Sequence, residues 1–582
     1  MATENSVCSK LRSGPELRNV IVIKRPSPIN RAASKRRHLL GLTFSLLLAT
    51  ATFAIQVKAA PEKSAEGESK ATPSPTPDFK PESTSSTGNV TVEGGRVDYQ
   101  AVAGTLVVHP KGWDDAALSG DRESEESEKD HEKNPTAEAS MFYVAYNKQK
   151  AEADKRPVTF LFNGGPGSST VWLHMGAFGP RRVITADDAH TPAAPYQIVN
   201  NDYSLLDASD LVFVDAPGTG FSRIAGKDKE KSFFGVDPDA HAFAEFIVAY
   251  LSKYGRWNSP KYVFGESYGT PRAAVLVNLL ESEYSLDLNG VIMLSQILNF
   301  DLSVDEPENN PGIEAPYVVA LPTYAATAWY HHKLPGPNSP GALESFLKEA
   351  EEFAMKDYAN ALAQGATLPK AERQAIAEKL HAYTGLPVSY ILKANLRIDG
   401  GEFEKNLQDD TDTTTGRLDT RFSGPTMDPL SKEAEYDPQS AAISSAYVSA
   451  FNDYVRKTLH YGADKKFLPE IELWKTWNFQ HQPPGAHRPL QQATNTMPDL
   501  ASAMKYNPDL RILLAGGYFD LATPFYEGWY EMHHLPIPPR LQDHIEYHYY
   551  QSGHMVYAHQ DSLKALHDDA AAFIHSTDHP AK

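Results

Sequence analysis

Apolar and polar positions divide the chain into stretches of different period. Arg96-Val97-Asp98-Tyr99-Gln100 and Gly104–His109 alternate in the two-residue rhythm of strands, which predicts a hairpin, and Ala139–Tyr146 continues an antiparallel sheet. The pattern then changes to short, almost wholly apolar runs: Val158–Phe162, Leu211–Val214, Tyr262–Phe264, Val291–Leu294 and Ile512–Ala515. Strands apolar on both faces predict a parallel sheet covered by helices, and helical stretches such as Pro238–Lys253 and Pro271–Ser282 lie between them. Residues 300–500 break this alternation. Pro340 heads an amphipathic helix with Leu343, Phe346, Leu347, Ala350, Phe353 and Tyr358 on one face. A second helix follows Pro369, with Ile376, Leu380 and Tyr383 apolar and Gly385 placed to end it. The expectation is an α/β core with a mainly helical cap over one edge, and no internal repeat is evident.

Two polar stretches interrupt the pattern. Residues 60–88 are rich in Pro, Ser, Thr, Lys and Glu and read as a disordered tether. Residues 117–137, with SGDRESEESEKDHEKN, read as a loop between strands. Ahead of the tether lies a basic segment, Lys35-Arg36-Arg37, then a charge-free run from Leu39 to Val57 and the small residues Ala59-Ala60. This is the layout of an export signal with a long basic leader, cleaved near Ala59. Arg36-Arg37 leaves a twin-arginine route open. An uncleaved anchor is the alternative, although the run is barely long enough to span a bilayer. The domain expectation is therefore a leader over 1–59, a tether over 60–88, a core over 89–300 and 501–582, and a cap over 301–500.

The 582 residues are 41% hydrophobic and 22% charged, an ordinary globular balance, with a formal net charge of −19. Residues 1–59 hold ten basic and two acidic residues, so their removal leaves 45 basic and 72 acidic residues, a net of −27. Such an acidic surface disfavours nucleic acid as a partner. The one cysteine, Cys8, lies in the leader. An exported chain without it has no disulfide, no thiolate metal site and no cysteine nucleophile, so a large core must stabilise it. The histidine pairs His331-His332 and His533-His534 lack metal-ligand spacing, and no metal or organic cofactor is implied.

The sharpest motif is Gly265-Glu266-Ser267-Tyr268-Gly269, a G-x-S-x-G directly after an apolar strand and directly before a helix. A nucleophilic serine needs that sharp turn to expose its hydroxyl. It also needs a base and an orienting acid, which follow in the order Ser, Asp, His on this kind of scaffold. Asp520 stands in the turn after Arg511–Ala515, and His554 on the loop after Ile545–Gln551. The glycine-rich run Asn163-Gly164-Gly165-Pro166-Gly167-Ser168-Ser169 follows Val158–Phe162. No lysine follows Gly167, and the glycine spacing does not fit a dinucleotide loop, so phosphate binding is poorly supported. In a serine hydrolase a glycine-rich loop after an early strand supplies one oxyanion-hole N–H, and the residue after the nucleophile supplies the other.

At this point the chain resembles the serine carboxypeptidases, peptidase family S10, with the α/β-hydrolase fold. The resemblance rests on the 163–169 loop, on Asp215-Ala216-Pro217-Gly218-Thr219-Gly220-Phe221-Ser222, on the Ser267 block, and on Asp520 and Gly553-His554-Met555, in that order. It implies Ser267 as nucleophile, His554 as general base and Asp520 as its orienter. It implies the N–H groups of Gly165 and Tyr268 as the oxyanion hole, and Asn163 and Glu266 as ligands of a substrate's terminal carboxylate. A glutamate bonds a carboxylate only if one of them holds a proton, so binding should favour acidic pH. The Asp215 block is read as support for neighbouring loops. The implied activity is that of an exported serine carboxypeptidase acting on peptide or protein C-termini, without a stable membrane span once the leader is removed. An esterase or acyltransferase on the same scaffold is the alternative, and a catalytically dead binding protein a third. Four departures stand out: Ser168 where a disulfide cysteine is common, Tyr518 in place of the first acid before Asp520, Leu161 where a tryptophan often stands, and Tyr557 rather than proline after Val556. Side-chain preference and oligomeric state are not readable.

Overall fold

The computed structural model describes residues 78–114, 134–336 and 341–578. The leader and most of the expected tether lie outside these residues, as does Pro340. Within the described residues a ten-stranded sheet forms the centre. Its strands are β1 (Ser83–Val92), β2 (Gly95–Val108), β3 (Glu138–Lys148), β4 (Val158–Phe162), β5 (Asp210–Val214), β6 (Arg223–Ala225), β7 (Lys261–Glu266), β8 (Gly290–Leu294), β9 (Arg511–Gly517) and β10 (Ile545–Tyr550). They lie in the order β1-β2-β3-β5-β4-β7-β8-β9-β10, with β6 pairing with β3. From β5 to β10 neighbouring strands are parallel, and β1, β2, β3 and β5 pair antiparallel at the other edge.

Two expectations need correction at that edge. The tether does not extend to residue 88, because Ser83–Val92 is a strand whose Ser/Thr alternation suits a half-exposed edge. The hairpin is also placed differently. Residues 96–100 and 104–108 belong to one strand, β2, and its hairpin partner is β1. The turn lies at Glu93-Gly94, where φ is +45° and +86°, between the paired residues Val92 and Gly95. Positive φ at both central residues is the two-residue turn whose twist matches that of the strands, and glycine meets it without strain. Ala101-Val102-Ala103 holds no turn signal, so the strand runs on through it.

The apolar strands supply two cores at once, because successive side chains point to opposite faces. Leu161, Phe213, Phe264, Leu294 and Leu513 join one cluster. Helices α6 (Pro438–Lys457) and α9 (Gln560–Thr577) close that face through Ile443, Phe451, Leu563 and Phe573. Phe160, Val212, Val263, Met293 and Leu514 join the other. There α1 (Val236–Tyr254), α2 (Gly269–Tyr284) and α7 (Met497–Tyr506) contribute Ile247, Leu276 and Leu500. Each such side chain contributes about 1.5–3 kcal/mol by leaving water, which is how a chain without disulfides stays folded.

Between β8 and β9 the described residues include α3 (Ala315–Tyr330), α4 (Leu343–Phe353) and α5 (Lys370–Thr384), the last ended by Gly385 as expected. Tyr324, Tyr358, Leu380 and Phe403 belong to a separate apolar cluster of this region. Helix α8 (Phe525–His533) follows β9. No helix of the described residues is long and apolar enough to cross a membrane.

Candidate active site

The parallel strands end at a common edge, and the candidate residues sit in the turns just beyond it. Phe162 pairs with Gly265, Glu266 with Leu294, and Leu294 with Ala515, so Asn163, Ser267 and the 518–520 turn leave the sheet side by side. Ligand sites of open parallel sheets form at this carboxyl edge because neighbouring connections diverge there.

Ser267 occupies the turn between β7 and α2 with φ of +60°. A left-handed non-glycine residue is costly and persists only where its surroundings enforce it. The motif's glycines provide the room. A Cβ at Gly265 would lie 2.2 Å from the Gly269 carbonyl oxygen, and one at Gly269 would lie 2.9 Å from that of Phe162. Ser267 N–H donates to Leu294 O (3.0 Å), and Thr270 N–H donates back to Ser267 O (2.8 Å). The serine side is half-buried, while Tyr268 is turned into the core, where its hydroxyl accepts from Trp477 (3.2 Å).

Asp520 is fully buried in the turn after β9. Its Oδ1 accepts from Thr523 N–H (3.0 Å), and its Oδ2 accepts from Thr523 Oγ1 (2.8 Å). Nδ1 of His554 lies 2.8 Å from Asp520 Oδ2. An ionised carboxylate only accepts, so Nδ1 carries the hydrogen and Nε2 is left with its lone pair. Burial alone would lower the affinity of His554 for a second proton. The charge and hydrogen bond of Asp520, with a smaller contribution from Glu266, outweigh it and raise the imidazole above its usual value.

The 163–169 loop lies against the serine turn. A Cβ at Gly164 would lie 2.3 Å from Tyr268 N, and Gly165 has φ of +106°. Asn163 accepts at Oδ1 from Leu173 N–H (3.1 Å), which turns its amide NH2 toward Glu266 Oε2 (2.8 Å). Burial pushes the Glu266 carboxyl up to about 7, against the lowering effects of His554, Tyr557 and Asn163. All of Asn163, Gly165, Glu266, Ser267 and His554 face one cavity of about 170 Å³, with Arg417 and Glu470 also on its wall. A larger cavity of about 1060 Å³ lies between α1, α2 and residues 481–486 and contains none of the candidate residues.

Several supporting residues escaped the sequence reading. Arg272, completely buried on α2, pairs with Asp239 of α1 (Nε–Oδ2 2.6 Å) and donates to the Asn163 carbonyl (2.7 Å), so a buried ion pair holds the loop. Asp419 accepts from Gly553 N–H (3.1 Å) and pairs with Arg421 (2.7 Å), while Leu418 O accepts from His554 N–H (2.6 Å). Residues 468–471 strap the glycine loop through Ile471 N–H to Gly167 O (2.9 Å) and Ser169 N–H to Pro469 O (2.8 Å). Tyr557, noted only as a departure, donates to both carboxyl oxygens of Glu266 (3.0 and 2.9 Å). The one legible signal was Thr523, three residues after Asp520. Apart from the pair Asp419 and Arg421, the others are contacts between residues distant in sequence. Asp215 accepts from Thr170 N–H (2.8 Å) and Phe221 N–H (3.4 Å), tying its own block to the loop. Among the described residues no group of three or more His, Cys, Asp or Glu is arranged to hold a metal ion.

Residues 131–566 match the family profile described as serine carboxypeptidase. This chain belongs to the serine carboxypeptidase family. Its sheet and the expected α/β-hydrolase fold agree with that membership. Pheromone-processing carboxypeptidase KEX1 of Candida dubliniensis is 26% identical over 169 residues, 27% of this chain and 23% of that protein. Serine carboxypeptidase-like 36 of Arabidopsis thaliana is 27% identical over 26% of this chain and 30% of its own length. A carboxypeptidase Y homolog of Arthroderma benhamiae is 26% identical over 30% and 33%. The chain thus spans about a third or less of the length of these curated relatives. Among solved structures, the proline iminopeptidase of Mycobacterium smegmatis overlaps 85% of this chain at 12% identity and a TM-score of 0.29.

Proposed function

We propose that this chain is an exported serine carboxypeptidase that releases C-terminal residues from peptides through an acyl-enzyme. The observation that carries the reading is the placement of Glu266, a buried carboxyl with a raised proton affinity, beside Ser267 in one small cavity. A protonated Glu266 and the Asn163 amide would bind the terminal carboxylate, which leaves the last peptide bond at the serine. Ser267 Oγ attacks that carbonyl while His554 Nε2 takes its proton. Negative charge forms on the carbonyl oxygen, and the N–H groups of Gly165 and Tyr268 stabilise it there. The imidazolium then protonates the departing amine, the terminal amino acid leaves, and water, activated by the same histidine, hydrolyses the Ser267 ester. Asp520 holds the imidazole in the tautomer with Nε2 unprotonated.

Binding by this route weakens as Glu266 ionises, so affinity favours pH below about 7. The opposing limb is His554, which must be neutral to act as a base. Export rests on the basic and apolar layout of residues 1–59, and a mature N-terminus at Ala60 is the expected result of N-terminal sequencing. The direct test of the activity compares a blocked dipeptide with its C-terminal amide at acidic pH. Release from the free acid alone is expected, and equal cleavage of the amide would sink the carboxylate reading. Ser267→Ala should lower kcat by several orders of magnitude and abolish labelling by a fluorophosphonate. Retained turnover would remove Ser267 as nucleophile.

A further inference from the structure

We propose that Tyr557 is a positioning residue of the carboxylate subsite, whose hydroxyl donates to Glu266 and sets the pH range over which substrate binds. The proposal rests on the reading of Asn163 and Glu266 as that subsite. The hydrogen-bond polarity carries it. Leu173 N–H donates to Asn163 Oδ1, so the Asn163 amide must donate to Glu266 Oε2. The Tyr557 hydroxyl lies 2.9 and 3.0 Å from the two Glu266 oxygens, and because an ionised carboxyl only accepts, it donates its hydrogen to them. Burial keeps the phenol protonated well above its usual range, so it remains a donor.

Glu266 therefore receives donors from two sides of the protein. Both donors favour the ionised carboxyl, whereas a substrate carboxylate needs the protonated form with its O–H offered to the cavity, so the strength of the two donors sets where one form gives way to the other. The arrangement is built into the fold. A Cβ at Gly176 would lie 2.6 Å from Tyr447 Cε1 and 2.7 Å from Tyr557 Cδ2, so a glycine makes the space that both rings fill. Tyr557 is buried on the short turn Val556–Ala558, three residues after His554. One segment thus brings His554 to the Ser267 cavity and Tyr557 to the neighbouring Glu266.

Other groups also act on Glu266. The imidazole of His554 favours its ionised form, whereas the charge of Asp520 disfavours it. Tyr447 lies close enough to feel the Glu266 charge, and Arg417 and Glu470 line the same cavity. Only the Tyr557 and Asn163 contributions are hydrogen bonds. A change of donor strength at 557 is therefore readable without moving a charge.

The experiment is the pH dependence of KM for a blocked dipeptide and its C-terminal amide, in the wild type, in Tyr557→Phe and with 3,5-difluorotyrosine incorporated at 557. Loss of a donor to the carboxylate in Tyr557→Phe should move the midpoint of the KM rise to higher pH. The expected shift is on the order of one unit, since a hydrogen bond to a buried charge is worth about tenfold in such an equilibrium. The fluorinated phenol donates more strongly and should move the midpoint down. Should the Phe variant fail to fold, the near-isosteric fluorinated enzyme decides alone. Midpoints that stay in place, or that move the other way, while the wild type still discriminates against the amide, overturn the role of Tyr557 and leave the subsite standing. Equal cleavage of acid and amide by the wild type overturns both.

Discussion

Glu266→Gln separates proton-dependent binding from every other contribution of this cavity. The amide is nearly isosteric, its oxygen can accept from Asn163 and Tyr557 as the carboxylate does, and its NH2 is a permanent donor toward the substrate. In the wild type the donor exists only while the carboxyl is protonated. With Glu266 at about 7, substrate affinity should be level near pH 5 and fall tenfold per unit above the midpoint. That gives a KM about elevenfold higher at pH 8 than at pH 5, whereas Glu266→Gln should show a nearly flat profile. The same perturbation has a stability consequence whose sign follows from linkage. The folded carboxyl holds its proton up to about 7, against 4.5 in the unfolded chain, so the native state binds more protons between these values and stability falls as pH rises through them. The gap corresponds to about 3 kcal/mol. Glu266→Gln should therefore be more stable than wild type at pH 8 by up to that amount and no more stable at pH 4. Steady-state kinetics from pH 5 to 8.5 and urea unfolding at both ends check the two halves. A variant whose KM keeps the wild-type slope would refute the assignment of the pH limb to Glu266. Equal stability at pH 8 would refute the raised proton affinity itself.

Three further outcomes follow from the supporting geometry. Asp520→Asn keeps the side-chain shape but can donate to Nδ1, favouring the tautomer whose Nε2 is already protonated; kcat should fall by roughly 10³–10⁴ with little change in KM, and a loss under tenfold would refute the orienting role. Gly553→Ala places a methyl 2.4 Å from Asp419 Cβ, so the His554 loop must shift; a loss of about 10²-fold in kcat with fluorophosphonate labelling slowed in parallel is expected, and an unchanged rate would show that the loop adapts. Arg272→Met strands the Asp239 carboxylate in the core and frees the Asn163 carbonyl. It should cost about 3–5 kcal/mol in urea unfolding, and part of that loss should return in Asp239→Leu/Arg272→Met; a double variant as unstable as the two losses added would contradict the pairing.

Much of the core was legible because its signals are local. Largely apolar runs such as Val158–Phe162 carry the pattern of strands buried on both faces, and Gly265-x-Ser267-x-Gly269 between a strand and a helix describes its own turn. The edge was misread for a local reason as well. Ser83–Val92 looks like a tether until β2 is beside it, because an exposed edge strand carries little hydrophobic signal. The candidate site divides along the same line.

Residue type and order along the chain determined the candidates Ser267, Asp520 and His554, and the resemblance to a known family added Asn163 and Glu266. Backbone conformation and spacing within a few residues are enough to suggest a nucleophile turn, an acid after a strand and a histidine on a late loop. Tertiary structure alone decided what surrounds them. It put Tyr557 on Glu266, Arg272 beneath the Asn163 carbonyl, and Asp419 under Gly553. Partners separated by 109 to 291 residues leave no periodicity or spacing to read. A hydrogen-bond donor aimed at a buried carboxyl is specified only when the chain has closed around it.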